Sequence, residues 1–405
     1  ISTDTRTIQK GDFYLPLKGA SFDGEKFINQ AFEKGAIGAF CTGDNGTLQV
    51  KDTLTAYLQL ANYRRKKLNF TVVAITGSSG KTTTKELAAS VLSEKFRTFK
   101  TPLNHNNEIG FCQTIFEAPD DTEILVLEMG MRGLGEIELL SKYAEPDITI
   151  ISNVGTAHIG RLGSRENIAK AKCEIVKYQR GNIFIAHDDE LIKKTVQFSG
   201  KKIFYSIKDV KILEKDTHYS KFEYYGNIYE LNVGGDYNIE NALSAINTGL
   251  ALRMKVNEIQ SGLKKYAPIE KRWEAVNAGG FEIINDSYNA NPESMRAFID
   301  TIFELYEKPV VILGDMGELG EDEIKYHSEL GKYINSHKNL RQDAEILSIG
   351  KLSKYITDGV TNCPAKHFET IEQAVDYIKN KDTKVQLFLK ASRSMKFERI
   401  IEELK

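Results

Sequence analysis

The segment Thr76-Gly-Ser-Ser-Gly-Lys-Thr82 joins an apolar run, Thr71 to Thr76, to a helix-forming stretch, and its residue types suit the holding of phosphate. Backbone N–H groups in a glycine-rich turn can face phosphate oxygens. Lys81 can reach the outer phosphates, and the Thr82 hydroxyl can hold Mg²⁺ at the helix start. Gly77 and Gly80 permit close backbone approach, with Ser78, Ser79 and Thr83 beside them. The longer phosphate-loop pattern has glycine where Ile75 stands, so this is the shorter T-G-x-x-G-K-T form. A glycine-rich turn with a solvated lysine is the bland alternative; the flanking strand and helix favour a nucleotide.

Further candidates follow other apolar runs, where a parallel sheet presents its carboxyl ends to ligands. Glu128 ends Ile124-Leu-Val-Leu-Glu128 and could complete a Mg²⁺ shell with Thr82, or be a loop ion pair. His158, in Asn153-Val-Gly-Thr-Ala-His158, falls on the same sheet edge; a lone histidine is more often structural, but its position favours a metal or phosphate contact. Lys170 and Lys172 lie in a helix-like stretch where lysines read as a solvated face. Arg272 and the loop Asp286-Ser-Tyr-Asn-Ala-Asn-Pro292 could grip a base and ribose through amides and an aromatic face, or form a plain Asn/Pro turn. Asp315, in Gly314-Asp-Met-Gly317, carries the same ambiguity, and Lys390-Ala-Ser-Arg393 could bind a carboxylate through Arg393 or be a basic loop after a strand.

These residues need a scaffold of alternating strands and helices. The order from Phe70 onwards provides it: strands at 71–76, 123–129, 147–154 and 183–187, a Tyr-rich β-like passage at 202–233, then a helix at 238–252. A second parallel sheet is expected after Pro268, with strands at 282–285, 310–315, 345–350 and 385–391. A smaller α/β module precedes both, closed by the charged run Arg64-Arg-Lys-Lys67. A chain of 405 residues is too long for one core. The net charge of −2 argues against nucleic acid or a membrane surface as a general partner. Four cysteines without a C-x-x-C pair suit reduced thiols and give no zinc-site spacing. With no apolar run of about 18 residues and no signal-peptide pattern, a soluble chain without membrane insertion, kept in the cytoplasm, is expected. Opening at Ile1 rather than Met, it is expected to lack residues at its start.

Together these segments resemble the Mur ligase family, over nearly the whole chain. Ser2-Thr-Asp-Thr-Arg6, Leu17-Lys-Gly19 and Asp23-Gly24 resemble its UDP-binding N-terminal domain, and Thr76–Thr82 resembles its ATP loop. Thr101-Pro-Leu-Asn-His-Asn-Asn-Glu-Ile-Gly110 is similar to the loop that faces the muramoyl-peptide. Asp286–Pro292 with Ser294-Met295 points to the member that joins D-alanyl-D-alanine to UDP-N-acetylmuramoyl-tripeptide. The resemblance implies an α/β protein of three domains: a small UDP-binding domain (1–69), a central P-loop parallel-sheet ATPase domain (70–268) and a C-terminal Rossmann-like domain (269–405). It implies ATP and Mg²⁺, with Thr82, Glu128 and His158 at the metal, Lys81, His158 and Lys172 catalytic, and Lys172 carried as a carbamate. It places ATP on residues 77–83 with Arg272, Asn289, Asn291 and Asp315. It places the small-molecule substrates on Ser2, Thr5, Arg6, Lys18, Asn104, Asn106, Asn107, Lys390, Ser392 and Arg393. A monomer is implied. The sequence departs from the family at Glu25, Phe111-Cys112, Asn285 and Ala391. A sister ligase with another amine acceptor, or a nucleotide-binding partner without turnover, are the rival readings.

Overall fold

The computed structural model describes residues 1–19 and 22–405. Among these residues the strands form four sheets. The first is parallel, in the order β1 (Phe13–Tyr14), β2 (Gly38–Cys41), β3 (Leu48–Gln49). Its small core joins Ile8, Tyr14, Ile28, Ala31, Ala39 and Cys41. Gly38 is required there, because a Cβ would enter the Phe13 ring.

The helix Thr53–Leu68 follows. Asp52 starts it, its carboxylate accepting from Thr55 N at 2.6 Å, and Asn69 ends it in the left-handed region at φ 50°. Although it precedes Phe70, this helix packs on the second unit. Tyr57 stacks on Phe116, and Arg64 donates to the carbonyls of Ile115 (3.1 Å) and Ala118 (2.8 Å). Arg65, 1% exposed, donates to the carbonyls of Ala144 (2.8 Å) and Glu145 (2.9 Å), which the end of the helix Glu136–Ala144 leaves unpaired. Two arginines of the charged run are therefore a seam between units.

The central sheet contains β4 (Thr71–Thr76), β5 (Thr98–Lys100), β6 (Ile124–Glu128), β7 (Ile148–Ile151), β8 (Ile183–His187) and β9 (Lys201–Tyr205). All are parallel, in the order β5-β6-β4-β7-β8-β9. Alternation sends Val73 and Ile75 into one core and Val72 and Ala74 into the other, so β4 is covered on both faces. Each of its fully buried valines and isoleucines contributes about 2 kcal/mol. This anchors β4 at the centre. Its carboxyl end opens between those of β6 and β7, the switch point where doubly wound sheets bind ligands.

The Tyr-rich passage is an antiparallel sheet, β10 (Lys211–Lys215), β11 (Ser220–Tyr224) and β12 (Asn227–Leu231). Tyr225 and Gly226, both at positive φ, make its tight turn. The helix expected at 238–252 spans Asp236–Ala251 and packs against Lys81–Leu92. The last sheet holds β13 (Glu274–Ala278), β14 (Phe281–Asn285), β15 (Val310–Gly314), β16 (Glu345–Ile349), β17 (Ala365–Phe368) and β18 (Gln386–Lys390), ordered β13-β14-β18-β15-β16-β17. It is parallel except for β13, which the Gly279-Gly280 turn folds back along β14. Sequence spacing had placed every other strand of this sheet except β17.

Replacing Arg65 by Met is expected to destabilise the protein by about 3 kcal/mol, since buried carbonyls lose a charged donor. Urea unfolding followed by circular dichroism checks this as a lowered midpoint.

Candidate active site

A cavity of about 480 Å³ lies between the central and C-terminal units, at the end of β4. Its floor is the phosphate loop. β4 stops at Thr76 and the helix Lys81–Leu92 starts after Gly80, which is left-handed at φ 78° and supplies no side-chain cap. The first N–H groups of this helix are thus without a capping side chain, the arrangement that receives an anion. The loop is held from β7: Ser79 N donates to Asn153 Oδ1 (2.9 Å), Ser78 N to Asn153 O (3.1 Å), and Ser152 Oγ to Ser79 O (2.6 Å). A Cβ on Gly77 would collide with that Ser152 hydroxyl, and one on Gly80 with Asn241 Oδ1. Lys81 Nζ donates back to Gly77 O at 2.9 Å. Burial pushes the Lys81 amine below its ordinary pKa, with the Glu128 charge opposing and Arg272 adding to the fall.

Thr82, Glu128, His158 and Asn106 line the same cavity. Glu128 is 4% exposed; its Oε1 accepts from Asn106 Nδ2 at 2.9 Å, while its buried Oε2 has no hydrogen-bond partner. A carboxylate oxygen without a hydrogen-bond partner and a threonine hydroxyl lining the same cavity are a donor set of the hard-oxygen type that suits Mg²⁺. His158 is held differently. Its backbone is left-handed at φ 66° and its Nδ1 sits 2.6 Å from Glu318 Oε2 of the C-terminal unit, out of hydrogen-bonding alignment. Glu318 is held below the usual carboxylate range by this contact.

Lys172 corrects the solvated-face reading. Lys170 is exposed, but Lys172, two places along the helix Arg165–Cys173, points the other way and is 1% exposed. Desolvation drives its amine well below the ordinary lysine pKa, and the nearby Lys81 charge adds to this. Among the described residues no carboxylate lies within ion-pair distance of it.

The C-terminal unit closes the cavity. Asn291 caps the helix Pro292–Leu305, its Oδ1 accepting from Ser294 N, and its Nδ2 donates to Ser79 Oγ at 2.9 Å. Glu293 Oε2 accepts from Thr156 N (3.0 Å) and Thr156 Oγ1 (2.8 Å). The Arg272 guanidinium lies 3.9 Å over the Tyr288 ring, and Lys390 Nζ, 2.6 Å from Asp286 Oδ2, also reaches Asn289 O. Arg272, Asn289, Asn291 and Lys390 therefore all line the cavity.

Other expected residues are not brought there. The Asp315 carboxylate accepts the backbone N–H groups of Lys351, Leu352 and Ser353 (2.7–3.1 Å), a loop staple that leaves it outside the cavity. Arg393 is exposed and pairs with Glu398, and Ser392 meets Ser394. Asn107 caps the helix Glu108–Glu117, and Asn104 is exposed. Ser2, Thr5, Arg6 and Lys18 belong to the first unit. There Thr5 Oγ1 donates to Gln30, Ser2 Oγ to Asp4 O, Arg6 pairs with Asp4 and Lys18 donates to Thr42. Glu25 braces that region, accepting from Thr42 N at 2.7 Å with Lys18 Nζ 3.5 Å away.

Sequence reasoning missed Tyr237, Glu240 and Asn241, on the helix Asp236–Ala251, and His187, at the end of β8. Asn241 Oδ1 accepts from Thr84 Oγ1 at 3.2 Å, and His187 Nε2 is 3.3 Å from Glu240 Oε1. The strand-end rule that picked Glu128 and His158 applies equally to His187.

Residues 75–249 match the Mur ligase middle domain, and residues 271–393 match the Mur ligase glutamate ligase domain. UDP-N-acetylmuramoyl-tripeptide--D-alanyl-D-alanine ligase of Bacillus subtilis is 37% identical, the match covering all of this chain and 92% of that protein. The Escherichia coli ligase of the same name is 28% identical, with 100% and 93% covered. Among solved structures, MurF from Acinetobacter baumannii superposes with a TM-score of 0.90 at 29% identity, covering 100% of this chain and 92% of that one. MurF ligase from Thermotoga maritima in complex with ADP gives 0.87 at 28%, covering 100% and 96%. The chain belongs to the Mur ligase family, in the MurF group.

Proposed function

We propose that the protein is an ATP-dependent amide ligase that adds D-alanyl-D-alanine to UDP-N-acetylmuramoyl-tripeptide, forming the UDP-linked pentapeptide used in peptidoglycan synthesis. The observation that carries this reading is a phosphate cradle sealed by a second unit, in a chain that matches such ligases from end to end.

ATP phosphates would lie on the open N-terminus of the helix Lys81–Leu92. Lys81, released from Gly77 O, would neutralise the γ-phosphate. The tripeptide carboxylate oxygen attacks the γ-phosphorus, the bond from that phosphorus to the β–γ bridging oxygen breaks, and ADP leaves. The dipeptide amine then attacks the acyl carbon. The C–O bond breaks, inorganic phosphate departs with the electron pair, and the amine proton is lost. Mg²⁺, when bound, supplies charge neutralisation on the phosphates, and Thr82 and Glu128 are the residues that would hold it, with His158 beside them once freed from Glu318. Asn291 and Arg272 bring the C-terminal unit onto the nucleotide, so closure aligns reactants and excludes water. Soluble UDP-sugar and ATP substrates support a cytoplasmic reaction, and a cavity built within one chain suits a monomer. No helix among the described residues is long and apolar enough to cross a membrane.

Lys172 fits a carbamate. Burial disfavours its ammonium, and a neutral amine is the form that adds to CO₂, losing one proton and leaving an anion that offsets Lys81. Because the folded-state pKa lies below the unfolded one, the unfolded chain binds more protons between the two. Stability therefore rises with pH across that window. In CO₂-free buffer Lys172→Met should be more stable than the wild type at neutral pH, with the gap closing as pH approaches the ordinary lysine value of 10.5. Bicarbonate should stabilise the wild type and leave the variant unmoved. Thermal melts across pH check both.

Incubation with ATP, Mg²⁺ and UDP-N-acetylmuramoyl-tripeptide, with and without D-alanyl-D-alanine, tests the reaction. Dipeptide-dependent phosphate release with the pentapeptide mass is expected; release driven only by another amine would assign a sister ligase.

A further inference from the structure

Lys85 lies one turn beyond Lys81 on the helix that begins at the phosphate loop, and it is fully enclosed. A buried ammonium is costly unless its donors are met. Here Nζ donates to Thr101 O (2.8 Å) and Leu103 O (3.1 Å), with Glu86 Oε1 at 3.3 Å and Glu128 Oε2 at 3.8 Å. Those two carbonyls open the loop 101–107. The same loop is tied to the end of β6 by further bonds. Glu128 N donates to Thr101 Oγ1 (3.0 Å), Asn106 Nδ2 to Glu128 Oε1 (2.9 Å), and Gly130 N to Asn106 O (2.7 Å). Asn106 thus occupies one oxygen of Glu128, and the Lys85 charge faces the other. A leucine or methionine, like the buried Leu87 and Leu92 of this helix, would satisfy burial alone but would leave two loop carbonyls and a carboxylate oxygen uncompensated.

We propose that Lys85 is a positioning residue: from the nucleotide-binding helix it fixes the loop 101–107 and the Glu128 carboxylate in one arrangement, so that the peptide end of the muramoyl substrate meets a preformed surface. The assignment of that loop to the substrate is what the resemblance to the Mur ligases implies and rests on the function proposed above; the geometry of Lys85 does not.

Lys85→Met tests this with two ligand-binding titrations and one ligand-free measurement. Losing a charged donor to two carbonyls should weaken UDP-N-acetylmuramoyl-tripeptide binding at least about tenfold, while ADP binding measured without Mg²⁺ stays within about twofold. Without any ligand, amide hydrogen exchange across 101–107 should quicken, and exchange in β4 should not. Lys85→Arg keeps the charge and should recover part of the substrate affinity. If the methionine variant does not fold, the arginine variant carries the same comparison with the wild type. Its expected loss is smaller, because the charge is kept, but measurable, because an enclosed guanidinium does not reproduce both lysine contacts. Unchanged substrate affinity, or equal losses for substrate and ADP, would overturn the proposal. A wild-type protein that does not bind UDP-N-acetylmuramoyl-tripeptide would remove the substrate reading, and the exchange measurement would still decide the role of Lys85: wild-type exchange rates in 101–107 would refute it.

Discussion

The helix Lys81–Leu92 begins without a side-chain cap, directly beneath the carboxyl end of the central strand of a parallel sheet, and the site depends on that arrangement. Unpaired N–H groups and the positive end of the helix dipole make the position unfavourable when empty of negative charge and favourable for a phosphate. Two glycines allow the turn, and neighbours crowd both: Ser152 leaves no space for a side chain on Gly77, and Asn241 none on Gly80. The sheet order supplies the rest. Because β4 lies between β6 and β7, Glu128 and the Asn153–His158 segment arrive on either side of the loop.

A cradle in one unit would bind nucleotide without protecting a reactive acyl group from water. The C-terminal unit supplies that protection through particular contacts: Asn291 on Ser79, Glu293 on Thr156 and Glu318 against His158. Asn291 also starts its own helix, so the capping geometry that orders Pro292–Leu305 aims the amide at the phosphate loop. Polar contacts of this size can be exchanged for contacts to a ligand.

Much of this was legible in the sequence because short apolar runs ending in Gly, Glu or Asn have few placements other than the ends of buried parallel strands. The phosphate loop, Glu128, His158 and the Asn289–Asn291 turn follow from that rule and meet in one cavity, where Arg272 joins them. What escaped has physical reasons. β5, β13 and β17 are edge strands without the continuous apolar run that marks a central strand. Lys85 and Lys172 look like surface residues until tertiary packing encloses them, and a helix carrying a lysine every few residues gives no sign of which one turns inward. Asp315 has the right strand-end position, yet three backbone N–H groups of the next loop claim its carboxylate. Tyr237, Glu240 and Asn241 were hidden in a helix whose apolar spacing explained it sufficiently as core.

The central claim is that this cradle delivers the ATP γ-phosphoryl group to a substrate carboxylate, which an amine then converts to an amide. The fate of the carboxylate oxygen decides it most directly. With ¹⁸O in the terminal carboxylate of UDP-N-acetylmuramoyl-tripeptide, the account predicts that each turnover with D-alanyl-D-alanine transfers one ¹⁸O to inorganic phosphate, read by mass spectrometry. Phosphate released without label while the amide forms would contradict it.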